Sequence, residues 1–154
     1  MNITLRPVTR ANFSDVVALT VTSEQADFVA PNVYSIAETY LERTWTPLAI
    51  YAGDDLVGFT LVGFTLFGRD DETGRWWLMR YMIDARHQGR GYGTAALRRV
   101  IDLMVERHGC DEIFLDYSPD NDVAGRLYER IGFVPTGEVL GGEIVARLDL
   151  VNWD

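Results

Sequence analysis

Apolar and polar positions change their rhythm several times along this chain, and each change marks an element. Asn2 to Val8 alternates, with Ile3 and Leu5 on one side, and predicts a first strand. Pro7 near its end suits a strand edge. From Thr9 to Thr22 the spacing lengthens to that of a helix, with Phe13, Val16, Val17 and Leu19 on its stripe and Thr9 or Asn12 as its cap. Glu24 to Asn32 (EQADFVAPN) keeps neither rhythm and reads as a loop or broken helix. Ser35-x-x-Glu38 has capping-box spacing and predicts a second helix, Ile36 to Arg43. Strands follow at Pro47 to Ala52 and Leu56 to Phe67, joined by a turn at Gly53-Asp54-Asp55. Gly58 and Gly63 inside the longer strand predict bulges or close backbone approach. Arg69 to Gly74 is a polar hairpin connection into a fourth strand, Arg75 to Asp84.

The second half is more regular. Leu97, Val100, Ile101, Met104 and Val105 mark one face of a helix over Thr94 to His108, closed by Gly109. Asp111 to Tyr117 is a fifth strand, stopped by Pro119. Asp120 or Asn121 caps a fourth helix running to about Arg130, with Gly132 as its C-terminal glycine. Phe133 to Val139, a turn at Gly141-Gly142 and Glu143 to Leu150 form a closing hairpin. The order βααβββαβαββ implies an α+β or mixed α/β sheet with helices on both faces, in one domain over residues 1–154.

Arg86 to Leu97 (RHQGRGYGTAAL) joins the fourth strand to the third helix. Strand, glycine turn and helix start make an anion cradle, because the first N–H groups of a helix lack internal partners and the dipole adds positive potential there. A P-loop needs a lysine after the glycines, and none is present; the dinucleotide fingerprint needs GxGxxG, whereas the spacing here is GxGxG. The pattern Gln88-x-x-Gly91-x-Gly93 instead resembles the acetyl-CoA pyrophosphate loop of the GCN5-related N-acetyltransferases, the GNAT superfamily. Asn121 to Phe133 (NDVAGRLYERIGF) resembles the later motif of the same superfamily at Asn121, Ala124, Leu127, Tyr128, Gly132 and Phe133. Within it the chain is similar to bacterial spermine/spermidine acetyltransferases, through DLVGF at Asp55 to Phe59, GRWWLMRYMI at Gly74 to Ile83 and GEVLGGE at Gly137 to Glu143.

The resemblance implies a GNAT-like fold around a mostly antiparallel twisted sheet, and transfer of an acetyl group from acetyl-CoA to a primary amine. It assigns the cofactor to the loop Gln88, Gly89, Arg90, Gly91, Tyr92, Gly93 and Thr94, to the main chain of Tyr81, Met82 and Ile83, and to Asn121. Strand-like pairing would hold the pantetheine arm, and one of those N–H groups would serve as oxyanion donor. Tyr128 takes the role of general acid for the departing thiolate. On spacing alone Tyr128 reads as a core aromatic of an amphipathic helix. Relatives often carry a carboxylate on the fourth strand where this chain has Met79, which cannot titrate. The base is therefore left to Glu24, Asp27, Asp116 or a water chain. Glu24 and Asp27, with Phe28, Tyr34 and Trp77 as aromatic walls, suit a polyamine through charge and cation–π contact.

Composition narrows the partners. A net charge of −9 argues against nucleic acid or an anionic membrane surface and is compatible with a small cationic substrate. The single cysteine, Cys110, excludes an internal disulfide framework and, with no apolar leader in MNITLRPVTR, leads to the expectation of a cytoplasmic protein. His87 and His108 form no cluster with metal spacing, so no metal is expected. Relatives are often dimers, and the apolar C-terminal strand ending at Trp153 is a candidate homodimer contact. Other readings keep the fold and change the acceptor to a protein N-terminus, a lysine or an aminoglycoside. A further one, favoured by Met79 and disfavoured by Tyr128, is an acyl-CoA-binding sensor without turnover.

Overall fold

A computed structural model describes residues 1–65 and 74–154. Seven strands form one sheet in the order β1-β2-β3-β4-β5-β7-β6: β1 Ile3–Pro7, β2 Thr46–Ala52, β3 Asp55–Thr65, β4 Arg75–Ile83, β5 Glu112–Tyr117, β6 Val134–Leu140 and β7 Glu143–Asp149. The helices are α1 Phe13–Ala18, α2 Asn32–Leu41, α3 Tyr92–His108 and α4 Asp122–Ile131. The mixed sheet and the element order agree with the expected fold. The hairpin connection expected at 69–74 lies, apart from Gly74, outside the described residues, as does the expected end of the third strand at position 67.

Apolar clusters fill both faces of the sheet. On one face the α3 stripe, Leu97, Val100, Ile101 and Met104, packs with Leu78, Ile113, Leu115 and Leu148. On the other, Val16 and Leu19 meet Phe59, Leu61, Trp77, Met79 and Phe114. The C-terminal Trp153 is committed within the chain: its indole N–H donates to Asp102 of α3 at 2.9 Å.

Two helix boundaries differ from those predicted. The helix expected from Thr9 to Thr22 is only α1, because both ends are drawn away by hydrogen bonds. Asn12 accepts from the Thr9 N–H at 2.8 Å and donates to the Pro7 carbonyl at 3.1 Å, which makes a turn before the helix. At the far end, the Thr20 N–H donates to Asp84 at 2.9 Å and its carbonyl accepts from Ala85 at 2.8 Å, so the chain leaves the helix to join β4. The capping box at Ser35 does not form either. α2 starts a turn earlier, after Pro31, whose φ of −55° and missing N–H suit a helix entrance. Asn32 then fixes it by donating to the Val16 carbonyl at 2.9 Å. Ser35 is buried mid-helix and Glu38 instead pairs with Arg80 at 3.1 Å.

The site is prepared where β4 and β5 part. All strand pairs are antiparallel except this one, which is parallel and in register only at Trp77 and Phe114. Beyond that point the strands splay and leave a wedge. A bulge against β3 between Leu61 and Val62 puts Met79 out of step. Trp77 and Met79 face the α1 side, whereas Tyr81 turns to the α3 side, where strict alternation would not put it. Close packing across the sheet is also required at Gly58, where a Cβ would collide with the Met82 carbonyl.

Candidate active site

Peptide groups on β4 can be assigned to one side or the other. The Arg80 carbonyl accepts from the Thr60 hydroxyl of β3 at 2.7 Å, and the Asp84 N–H donates to Val57 of β3 at 2.8 Å. Because direction alternates along a strand, Met82 also turns its peptide groups to β3, while Tyr81 and Ile83 turn theirs into the wedge. The Ile83 carbonyl accordingly accepts from the Gln88 side chain at 2.9 Å. Of the three residues expected to offer main-chain groups, Tyr81 and Ile83 turn theirs into the wedge, whereas Met82 turns its own to β3.

The glycine loop then turns into α3. Gly91 is the N-cap with φ of +83°, and Gly89 has φ of +78°. No side-chain cap closes the helix start, so the N–H groups of Tyr92, Gly93 and Thr94 are left for a ligand. The Tyr81 hydroxyl donates to the Gly93 carbonyl at 2.5 Å and ties this turn to β4; burial holds that phenol's pKa well above the ordinary value. Asp84, 2% exposed, fixes the loop entrance by accepting from the Thr20 N–H at 2.9 Å and from the Arg86 N–H and Nε at 3.0 and 2.9 Å. Burial pushes its pKa up, but those donors and the Arg86 charge outweigh it and the net shift is downward.

A cavity of about 310 Å³ runs along this cradle. Tyr81, Met82, Ile83, Gln88, Gly89, Gly91, Gly93 and Thr94 line one side, and Asn121, Ala124, Leu127 and Tyr128 of the α4 segment the other. Asn121 caps α4, its side-chain oxygen accepting from Ala124 at 3.3 Å, which leaves its amide NH₂ without a protein partner among the described residues. Arg90 is exposed and does not line the cavity, and the Tyr92 ring packs with the core instead; Arg130 of α4 is the cation that does line it.

A second cavity, about 520 Å³, adjoins the first at Tyr81 and Tyr128 and is lined by Asp27, Phe28, Met79, Arg80, Asp116 and Glu143. Tyr128 borders both cavities and is 9% exposed. Its ring is held between Tyr117 and Phe133, at centroid distances of 5.7 and 5.9 Å. Burial first, then the charges of Asp116 and Tyr117, push its pKa upward. Burial also raises Asp116, against the lowering effect of Arg80, and raises Glu143, with the Asp116 charge adding to it.

Of the expected acceptor residues, only Asp27 and Phe28 line this second cavity. Trp77 is corrected: at 1% exposed it is sealed in the core against Phe114. Tyr34 is corrected too, since it points outward, 57% exposed, from α2. Glu24 is exposed and lines neither cavity. Gln25 and Glu143 carry no local signal and were not anticipated as site residues. Gln25 lies in a 3₁₀ segment, Ser23–Phe28, capped by Thr22, and accepts from Gln88 at 2.8 Å, so it latches this segment onto the cofactor loop.

An open strand edge, an anion cradle beside it, and a second, acidic cavity that shares Tyr81 and Tyr128 with the first make a site suited to two ligands side by side. Comparison gives the family. The model of the acetyltransferase (GNAT) family matches residues 18–133. The chain is 33% identical over 152 residues to the spermine/spermidine N(1)-acetyltransferase of Bacillus subtilis (strain 168), covering 97% of this chain and 100% of that one. The fold is similar to that of AAC(6')-Ib in complex with ribostamycin and coenzyme A, with TM-score 0.78 and 20% identity over 97% of this chain and 94% of that one. It is also similar to spermidine N-acetyltransferase from Vibrio cholerae in complex with CoA and spermine, with TM-score 0.70 and 18% identity over 94% and 92%. The chain belongs to the GNAT family of acetyltransferases.

Proposed function

We propose that this acetyltransferase moves the acetyl group of acetyl-CoA to a primary amine of a polyamine such as spermidine or spermine, with Tyr128 as general acid. The observation that carries the reading is the meeting of an anion-binding cavity and an acidic cavity at Tyr128. The cradle fits the cofactor: a Cβ added at Gly89 would meet no atom within 4 Å, so the loop backbone is open to a pyrophosphate. The peptide groups of Tyr81 and Ile83 fit the pantetheine arm, and Arg130 adds positive charge. Acetyl-CoA supplies the acyl group and a thiolate leaving group.

In the second cavity Asp27, Asp116 and Glu143 offer several negative charges to a molecule with several positive ones, and Phe28 offers an aromatic face. The cation Arg80 is held at Glu38, 3.1 Å away, which leaves the cavity acidic. Tyr128 keeps its proton throughout the physiological range because burial opposes the phenolate. Donation to a thiolate from such a phenol is uphill, so the proton shed by the attacking nitrogen must return to Tyr128 in the same turnover. A polyamine is preferred to an aminoglycoside because the full-length 33% likeness is to a polyamine enzyme, whereas the likeness to AAC(6')-Ib is one of fold.

The test is thiol release from acetyl-CoA with spermidine, spermine, a short diamine, a lysine peptide and an aminoglycoside. Saturable turnover confined to polyamines is expected. Turnover confined to the peptide or the aminoglycoside would overturn the acceptor, and tight acetyl-CoA binding without turnover of any amine would favour a sensor.

A further inference from the structure

Resting on the acetyl-transfer reading, we propose that Asp116 is the proton acceptor for the substrate ammonium, taking the place of the missing carboxylate at Met79, and that Glu143 beside it is a positioning residue that helps seat the cation against Asp116.

Met79 is buried among apolar residues and cannot take a proton. The reaction nonetheless requires one to leave, since an alkylammonium with a pKa of about 10 is not a nucleophile at neutral pH. Asp116 is the penultimate residue of β5, on the far wall of the wedge. Its strand partner on β7 is Val145, so Glu143, two residues earlier on β7, shares its face as a diagonal neighbour. Both side chains line the cavity that Tyr128 borders. Two further observations point to a ligand there. Tyr128 is nine-tenths buried and its hydroxyl has no hydrogen-bond partner among the described residues. One oxygen of Glu143, Oε2, is sealed from solvent and likewise unpartnered. A donor-rich ammonium in the cavity answers the Tyr128 hydroxyl directly, and answers Glu143 once Oε2 turns into the cavity.

The charged and titratable groups facing Asp116 are Arg80 of β4, Glu143 of β7, Tyr117 beside it, Tyr128 of α4, Asp27 of the 3₁₀ segment and Tyr81 of β4, whose hydroxyl is engaged by the Gly93 carbonyl. Arg80 opposes proton uptake but is shared with Glu38. Burial promotes it; the like-charge effect between the two carboxylates is felt at Glu143, which Asp116 raises. Asp27 is exposed at the cavity mouth, where its charge is screened.

The protons balance. R–NH₃⁺ gives one proton to Asp116, which later returns it to solvent. The free amine forms the C–N bond, the C–S bond breaks, and the second nitrogen proton reaches the sulfur through Tyr128. The products are R–NH–acetyl, HS-CoA and one released proton.

Two measurements test this on the intact protein. In the first, kcat/KM for spermine is followed against pH. The wild type is expected to show an acidic limb above the ordinary aspartate value of about 3.9. Asp116→Asn abolishes it and lowers kcat by about 10²-fold or more, whereas Glu143→Gln keeps the limb and raises the KM for spermine. In the second, calorimetry of spermine binding in two buffers of different ionisation enthalpy counts protons on the acidic limb without any turnover. The wild type releases protons as the cation displaces them from Asp116; Asp116→Asn does not. A wild-type limb and kcat in Asp116→Asn, an unchanged spermine KM in Glu143→Gln, or equal proton release in Asp116→Asn would overturn the proposal while leaving the acetyl-transfer reading intact. A wild type inert toward every amine would overturn that reading instead.

Discussion

The carboxylates at the two ends of the wedge are in opposite condition. At the cofactor end, Asp84 is buried but saturated: three donors from Thr20 and Arg86 surround it, and its pKa falls. At the acceptor end, Asp116 and Glu143 are less buried and poorly supplied with donors, and their pKa values rise. A satisfied buried ion belongs to the scaffold, since its charge is already spent on the chain's own hydrogen bonds. An unsatisfied one lowers stability and is available to a ligand, the usual condition of a site that binds and reacts. The same residue type therefore holds one end of the wedge together and leaves the other end open.

The strongest test acts where the two ends meet. Tyr128→Phe keeps the ring packing and removes only the hydroxyl. Its kcat should fall by about 10²–10⁴-fold, with acetyl-CoA affinity retained, as steady-state kinetics and calorimetry will report. A variant with full kcat would remove Tyr128 from the chemistry. Next in size, Gly91→Val strains a loop position at φ of +83°. Strain of about 1–3 kcal/mol should weaken acetyl-CoA binding by roughly 5- to 100-fold, with the amine less affected. Equal loss for both ligands would mean that the two cavities do not separate as the geometry suggests.

Thermal unfolding against pH then separates the two kinds of carboxylate by sign. A lowered folded pKa at Asp84 gives stability that is full above the unfolded value of about 3.9 and is lost as pH falls through the folded value. Asp84→Asn should therefore lower Tm at pH 7 and lose this part of the acid dependence. Raised values at Asp116 and Glu143 give a cost that is full above the folded pKa and relieved as pH falls toward the unfolded one. Asp116→Asn should raise Tm at pH 7 while lowering activity. The same sign for both would dissolve the contrast. The smallest effect lies on the latch between the ends. Gln25→Leu breaks the bond to Gln88, and a double-mutant cycle with Gln88→Ala on polyamine KM should give a coupling of about 0.5–1.5 kcal/mol.

By itself the sequence determined what is local. Gln88, Gly91 and Gly93 lie within six residues of one another, and the N–H groups they expose belong to one helix start; the cap at Asn121 and Tyr128 lie on one helix. Such features depend on backbone conformation and helical period, which neighbouring residues set. The order of strands and helices was legible for the same reason. Tertiary structure alone decided the acceptor end. Asp27, Asp116 and Glu143 come from three separate segments, and only the splay of β4 from β5 gives them a common cavity. Trp77 has the composition of a binding wall, but its face of β4 is covered by α1 and Phe114, so it became core. The bulge at Met79 turned Tyr81 toward α3, and the Thr20–Asp84 bond ended α1 early. Each depends on a partner distant in the chain, and residue type records a side chain's chemistry without recording which distant partner will meet it.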